Sequence, residues 1–341
     1  MRLAGLILLA MMTGSATAQA PASAPAAAPL ELTPPEPTPA DHGGSGMPIL
    51  HDPSTIIREG NWYYVYSSGR GVPFFVSHDL HTWFYRGAIY NALPHSVVKY
   101  VPGNDGLDAW APDIIKVGET YFVYYSVSKW DHYASAIALA TNTTLDPKNP
   151  GYKWVDHGMI VRSTGEDYLN AIDPGVIQTS DGKMWLCYGS FKGPIELMAL
   201  NPKTGLLLHP HALPYQLATD SEASDIIEHD GWFYLFVNHG SCCHGAGSTY
   251  HINVGRSRKI TGPYVDRKGK SLMDSPGEPF LATEGEHMGP GHFGLIPAAD
   301  GIGERFSMHY EADTGSNDKP VLAIRKLGWS ADGWPVAGEL Q

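Results

Sequence analysis

The sequence predicts an all-β domain, a five-bladed β-propeller of four-stranded antiparallel blades around a central channel, and three observations carry that prediction. Long amphipathic helical patterns are nearly absent from residues 47–341, where short aromatic and β-branched runs alternate with Gly, Asp and Asn turns. Five of those runs stand out: Trp62-Tyr63-Tyr64-Val65-Tyr66, Tyr121-Phe122-Val123-Tyr124-Tyr125, Met184-Trp185-Leu186-Cys187-Tyr188, Trp232-Phe233-Tyr234-Leu235-Phe236 and Phe306-Ser307-Met308-His309-Tyr310. Each follows a turn, and a shorter strand stands before that turn: Asp52 to Ile57, Asp113 to Val117, Asp173 to Gln178, Glu222 to Glu228 and His292 to Pro297. A unit repeated five times with a hairpin near its start is the pattern of propeller blades. A Greek-key β-sandwich would not need the same opening five times.

The repeat occupies residues 47–341 of a 341-residue chain, and the rest reads differently. Residues 1–18 have the pattern of a signal peptide: Arg2 is the positive start, Leu3 to Met12 the apolar stretch, and Ala16-Thr17-Ala18 a small-residue cleavage site. Residues 19–46 are Ala/Pro-rich and end in Gly43-Gly44-Ser45-Gly46, a composition expected to form a tether outside the fold. The mature protein is therefore expected to be secreted or periplasmic. No second apolar stretch of about 18 residues follows, so no membrane anchor is expected.

Composition narrows the partners. Lys plus Arg number 23 against 35 for Asp plus Glu, a balance opposite to that of a protein that neutralises phosphates, so nucleic acid is not an expected partner. Trp, Tyr and Phe make up 11% of the chain, which suits a β-rich fold or surfaces that stack neutral ligands such as sugars. Only three cysteines occur, too few for a disulfide framework. Cys187, inside an apolar run, is expected to be buried, while the adjacent Cys242 and Cys243 either join or remain two thiols.

In a propeller the first strand of each blade is the innermost, so its beginning opens onto one end of the channel. The residues expected there are Asp52, Asp113, Asp173, Glu222 and His292. Asp-Pro, at Asp52-Pro53 and Asp173-Pro174, is by itself common turn chemistry. Four carboxylates gathered at one mouth are not, because their mutual repulsion must be offset by a ligand, metal or proton. Two carboxyl groups on facing blades can flank a glycosidic bond, one protonating the leaving oxygen and the other deprotonating water on the opposite face, which inverts the sugar centre. A third, charged carboxylate keeps the acid protonated by raising its pKa. The pattern alone leaves open which carboxylate does what.

The motifs His51-Asp52-Pro53, Trp110-Ala111-Pro112-Asp113, Ala171-Ile172-Asp173-Pro174, Glu222-Ala223, Cys242-Cys243-His244, Ser248-Thr249-Tyr250, Val254-Gly255-Arg256-Ser257 and Ile260-Thr261-Gly262-Pro263-Tyr264, taken in this order, resemble glycoside hydrolase family 43. Within it the resemblance is to endo-α-1,5-L-arabinanases, inverting five-bladed propellers, and it spans about residues 48–336. It implies Asp52 as general base, Glu222 as general acid and Asp173 as the residue that orients the acid and tunes its pKa. It further implies substrate contact by Trp110, Cys242 and Cys243. At Asp113 it implies a structural role or an indirect substrate contact. His292, in Gly289-Pro290-Gly291-His292, matches the position whose imidazole reaches a channel ion, usually calcium completed by waters; such an ion would act mainly by lowering the repulsion among the carboxylates.

The expected activity is cleavage within arabinan by a monomeric enzyme. The alternatives are an exo-acting α-L-arabinofuranosidase or β-xylosidase on the same fold, or a non-catalytic sugar-binding propeller. Two departures from the family pattern stand out. Ser224 follows Glu222-Ala223 where Pro is frequent, which removes a φ restraint beside the acid. Residues 265–288 carry no clear motif, so loops bordering the cleft are expected to differ.

Overall fold

A computed structural model describes residues 38–40, 46–296, 304–313 and 315–341. The expected signal peptide and nearly all of the expected tether lie outside the described residues. The described chain folds as five antiparallel sheets, each built from strands consecutive in sequence apart from the short additions noted below, and it is a five-bladed β-propeller.

Blade 1 runs from inside to outside through Ile57–Glu59, Trp62–Tyr66, Pro73–Ser77 and Trp83–Ala88. Blade 2 follows with Asp108–Val117, Thr120–Val127, Ala134–Asn142 and Val155–Thr164, and blade 3 with Gly175–Gln178, Met184–Tyr188, Ile195–Leu200 and Tyr215–Ala218. Blade 4 comprises Glu222–His229, Trp232–His239, His251–Ser257 and Glu278–Leu281, so the stretch 265–288 supplies its outermost strand. Blade 5 comprises Met288–Ile296, Arg305–Ala312, Val321–Trp329 and Pro335–Leu340.

All five aromatic runs form the second strand of a blade, two of them, Trp62–Tyr66 and Met184–Tyr188, with the bounds read from the sequence. They do so because each is covered on both faces. Five apolar clusters fill the five blade interfaces: Tyr64 and Tyr66 with Tyr121 and Tyr125, Phe122 and Tyr124 with Leu186 and Tyr188, Cys187 with Leu235, Phe236 with Phe293, and Val65 with Ile324. Phe236 and Phe293, for example, stack at 3.9 Å across the interface of blades 4 and 5. Burying one such ring stabilises the fold by about 1.5–3 kcal/mol, so the ring of blades is held by its interfaces.

The circle closes where Ile49 bridges Val321, with Leu322 N–H donating to Pro48 O and Leu50 N–H to Pro320 O, both at 3.0 Å. Two short additions extend the blades. Gly69–Arg70 pairs with the inner strand of blade 2. Thr38–Pro39, within the stretch expected to be tether, pairs with Trp83–Ala88 as an outer strand of blade 1, and Ala40 is buried, so the fold takes in residues before 47. Among the described residues the helices are only His95–Val98 and the 3-10 turn Gly245–Gly247, and none is long and apolar enough to cross a membrane.

Candidate active site

One backbone feature recurs at the start of every inner strand. Asp52, Ala111, Asp173, Ala223 and His292 all have positive φ, between 45° and 63°. A non-glycine residue there is strained by about 1–3 kcal/mol, and five such residues, one per blade, persist because the packed ring holds them. In blades 2, 4 and 5 the kink is a bulge that breaks strand register, between Trp110 and Asp113, Glu222 and Asp225, and Gly291 and Gly294. Around the ring the left-handed residue is polar in blades 1, 3 and 5, whereas in blades 2 and 4 it is Ala and the chemically distinctive side chain is the one before it, Trp110 or Glu222.

Asp52, Asp173, Glu222 and His292 meet as expected. Asp52 Oδ1 lies 3.3 Å from His292 Nδ1, while Oδ2 accepts from His51 Nδ1 at 2.8 Å and from Ser68 Oγ at 2.5 Å. Ser68 is itself fixed by accepting the Ala111 N–H at 2.8 Å. Across the channel, Asp173 Oδ2 accepts the Ala223 N–H at 3.1 Å, directly beside Glu222. Glu222 accepts from Ser190 Oγ at 2.8 Å and from the Tyr250 hydroxyl at 2.9 Å. The Tyr250 ring reaches it by crossing over Gly291, where a Cβ would lie 2.2 Å from Tyr250 Cε1; no residue but Gly fits beside His292.

The two sides of the mouth hold opposite protonation states. Burial alone would raise Asp52, but the His51 charge and hydrogen bonds from His292 and His51 outweigh it and hold the carboxyl well below its ordinary range. Asp173 is pushed up to about 8, by burial first and then by the negative charge of Glu222. Glu222 is also raised by burial, against the hydrogen bonds from Ser190 and Tyr250. At neutral pH Asp52 is thus ionised while the Asp173–Glu222 pair retains a proton, titrating as a pair.

Asp113 is placed differently. It stands two residues past the left-handed Ala111, inside a strand that begins at Asp108, so Trp110 and not Asp113 opens onto the mouth. Asp113 is buried, with Oδ1 accepting the Thr55 N–H at 3.0 Å and Oδ2 the Val176 N–H at 2.9 Å. Both oxygens are engaged in a strut that ties blades 1, 2 and 3, which corrects the expectation that it leads its inner strand at the channel mouth. Its contacts describe the structural role rather than a substrate contact. Asp225 of blade 4, which the sequence reading did not single out, holds the matching place two residues past Ala223. Burial raises both of these carboxyls.

At the rim, Trp110 meets the exposed Trp130 edge to face at 6.4 Å. Cys242 and Cys243 are joined as a disulfide, and Cys187 is buried with its thiol donating to the Gly175 and Ser224 carbonyls. Cys243 Sγ sits within 4.8 Å of the nearest donor atoms of His51 and Glu311, at the edge of the site.

Two carboxyl groups on facing blades, one ionised and one side holding a proton, form the acid and base apparatus of a glycosidase. Residues 47–335 match the family description "Glycosyl hydrolases family 43". The chain belongs to glycosyl hydrolase family 43. Among family members, the extracellular endo-α-(1→5)-L-arabinanase 1 of Bacillus subtilis (strain 168) is 35% identical over 316 residues, covering 90% of this chain and 93% of its own. The extracellular exo-α-(1→5)-L-arabinofuranosidase of Cellvibrio japonicus (strain Ueda107) is 32% identical over 311 residues, covering 87% and 88%. The solved structure of a Cellvibrio cellulosa α-L-arabinanase complexed with arabinohexaose superposes with a TM-score of 0.80 at 31% identity, covering 85% of this chain and 96% of that one. The chain is therefore a glycoside hydrolase.

Several members of this family 43 site carried no assigned role in the sequence: Ser68, Ser190, Tyr250, His51, His309 and Glu311. Tyr250 and His51 stood inside recognised motifs. Ser68 and Ser190 lie in the turns just past the second strands of blades 1 and 3, where a serine reads as ordinary turn chemistry, and Glu311 lies in a strand whose alternation reads as ordinary.

Proposed function

We propose that this protein is a secreted endo-acting hydrolase of α-1,5-linked arabinan that works by single-step inversion. Asp52 is the general base: it is ionised and faces the channel, and it takes a proton from water attacking the anomeric carbon. Glu222 is the general acid and delivers a proton to the leaving oxygen, while Asp173 orients the acid and keeps the proton on the pair by charge repulsion and shared burial. The carrying observation is the meeting of Asp52, gripped by His51 and His292, with Glu222, held by Ser190 and Tyr250 beside Asp173, at one mouth of the channel. Trp110 offers an aromatic face to a sugar, and the Cys242–Cys243 disulfide lines the neighbouring edge. A monomer suffices, since all of these groups come from one chain.

The donor set at His292 fits a channel ion. His292 donates through Nδ1 to Asp52, so its Nε2 would be the atom to hold such an ion. Such an ion supplies positive charge that eases the crowding of Asp52, Asp173 and Glu222. His292 would hold it, and Asn238 Oδ1, which accepts the His292 N–H at 3.0 Å, steadies that residue.

Asp52→Ala and Glu222→Ala should each reduce release of reducing ends from debranched arabinan by at least about 10³-fold, with unchanged circular dichroism. Near-normal hydrolysis by either variant overturns the assignment. The exo reading is favoured by the relative and the ruminal metagenomic structure named as exo-acting, the latter 35% identical with a TM-score of 0.81. Early products separate the two: mixed oligomers support endo action, a single short product supports exo action.

A further inference from the structure

We propose that Glu311 is a positioning residue for the reaction, the common anchor of a closed hydrogen-bonded ring that grips Asp52 by its side chain and its backbone at once. The inference rests on the reading of Asp52 as the general base. It starts from the strain at Asp52, whose φ is 50°: a base held in a left-handed conformation needs partners that fix both its peptide and its carboxylate.

The structure supplies both through two histidines. On one side, His51 Nδ1 lies 2.8 Å from Asp52 Oδ2 and His51 Nε2 lies 3.2 Å from Glu311 Oε1. On the other, the Asp52 N–H donates to His309 Nδ1 at 3.2 Å, and His309 Nε2 lies 3.4 Å from the same Glu311 Oε1. The ring therefore runs Asp52 carboxylate, His51, Glu311, His309, Asp52 backbone. The tautomers follow from it. His309 accepts from a peptide N–H at Nδ1, so its proton is on Nε2, directed at Glu311. His51 faces a carboxylate at each nitrogen, so it carries both protons and is cationic.

Glu311 is suited to be the anchor and nothing else. It is 2% exposed and comes from blade 5, the last blade, whereas Asp52 comes from the first, so the ring also spans the seam of the propeller. The His51 and His309 rings pack at 4.2 Å, which stops either from swinging while the other holds. The exposed Cys243 lies over the His51–Glu311 end, with Sγ within 4.8 Å of their donor atoms. Glu311 is buried, and its carboxylate reaches Asp52 through His51 and His309. Its effect on catalysis must be indirect, through the aim of the Asp52 carboxylate at the attacking water.

The test uses the full mature protein and a 4-nitrophenyl α-1,5-linked arabino-oligosaccharide, with Glu311→Ala, Glu311→Gln and Asp52→Ala made in parallel. Glu311→Ala is expected to lower kcat about 10–100-fold with KM within about threefold. Glu311→Gln, which keeps an acceptor oxygen at the anchor, should recover at least a third of the loss on a logarithmic scale. Sodium azide attacks without needing a base: its nitrogen bonds to the anomeric carbon as the carbon–oxygen bond breaks, and the leaving oxygen departs as nitrophenolate. Azide should therefore rescue both Asp52→Ala and Glu311→Ala and yield the inverted glycosyl azide, an outcome that general loosening of the fold would not produce. Wild-type rates in Glu311→Ala beside an inactive Asp52→Ala overturn this inference alone, as does a loss that azide leaves untouched. An active Asp52→Ala overturns the underlying reading of the base.

Discussion

Replacing Tyr250 by Phe removes one hydroxyl from the acid side of the site and keeps the ring that fills the space over Gly291. The hydroxyl donates to Glu222 Oε1 at 2.9 Å, a bond that favours the ionised carboxylate and so opposes the burial that raises it. A hydrogen bond to a charged group contributes about 1.5–3 kcal/mol, and about 1.4 kcal/mol corresponds to one pKa unit. Glu222 keeps its bond from Ser190, and channel water replaces part of the lost donor, so the net rise is about one unit rather than two. The affected group must be protonated to act, hence its limb is the basic one. The wild-type enzyme should lose kcat/KM on the basic side as the Asp173–Glu222 pair gives up its proton, since burial raises Glu222. In Tyr250→Phe that limb should move to higher pH by about one unit, while the acidic limb, set by Asp52, moves less. Initial rates on debranched arabinan between about pH 4 and pH 10 read the basic limb; the acidic limb lies below that range, because Asp52 is held well below its ordinary value. A basic limb that stays in place or moves to lower pH refutes the argument that Tyr250 tunes the acid.

Two further substitutions separate structural from catalytic carboxylates. Asp113→Ala leaves the Thr55 and Val176 N–H groups buried without acceptors, a loss of about 2–5 kcal/mol, and at about 2–4 °C per kcal/mol Tm should fall by roughly 5–15 °C while KM stays within twofold; a large rise in KM at unchanged Tm would restore a substrate contact. Asp173→Asn should abolish most activity yet raise Tm, more so as pH rises. The folded state holds the Asp173 proton up to about pH 8 whereas the unfolded chain releases it near 3.8, so the wild type loses stability across that window and the Asn variant, left with only the raised Glu222, loses less; a Tm difference independent of pH contradicts the assigned shift.

How much of this was legible in the sequence depends on whether a feature is local. Trp62–Tyr66 and Met184–Tyr188 could be bounded because a strand buried on both faces writes itself as an unbroken apolar run between turn residues, and five such runs imply five blades. The identities of Asp52, Asp173, Glu222 and His292 were also readable, since charged or imidazole side chains at strand starts in an otherwise apolar repeat demand a reason. Register was not readable. The bulges of blades 2 and 4 turn on Ala111 and Ala223 at positive φ, and alanine gives no hint of a conformation that only the assembled ring enforces. That one kink brings Trp110 to the mouth, drives Asp113 down into a strut between blades, and hides Asp225 as its counterpart. Glu311 was concealed for a different reason: in His309-Tyr310-Glu311 it obeys the polar alternation of an ordinary strand, and it becomes chemistry only because blade 5 closes against blade 1. Ring closure thus determines more than the shape of the fold. It converts a residue more than 250 positions away in sequence into the anchor of the proposed base, and it makes the seam between the first and last blades the place where a loosened propeller should lose activity before it loses its strands.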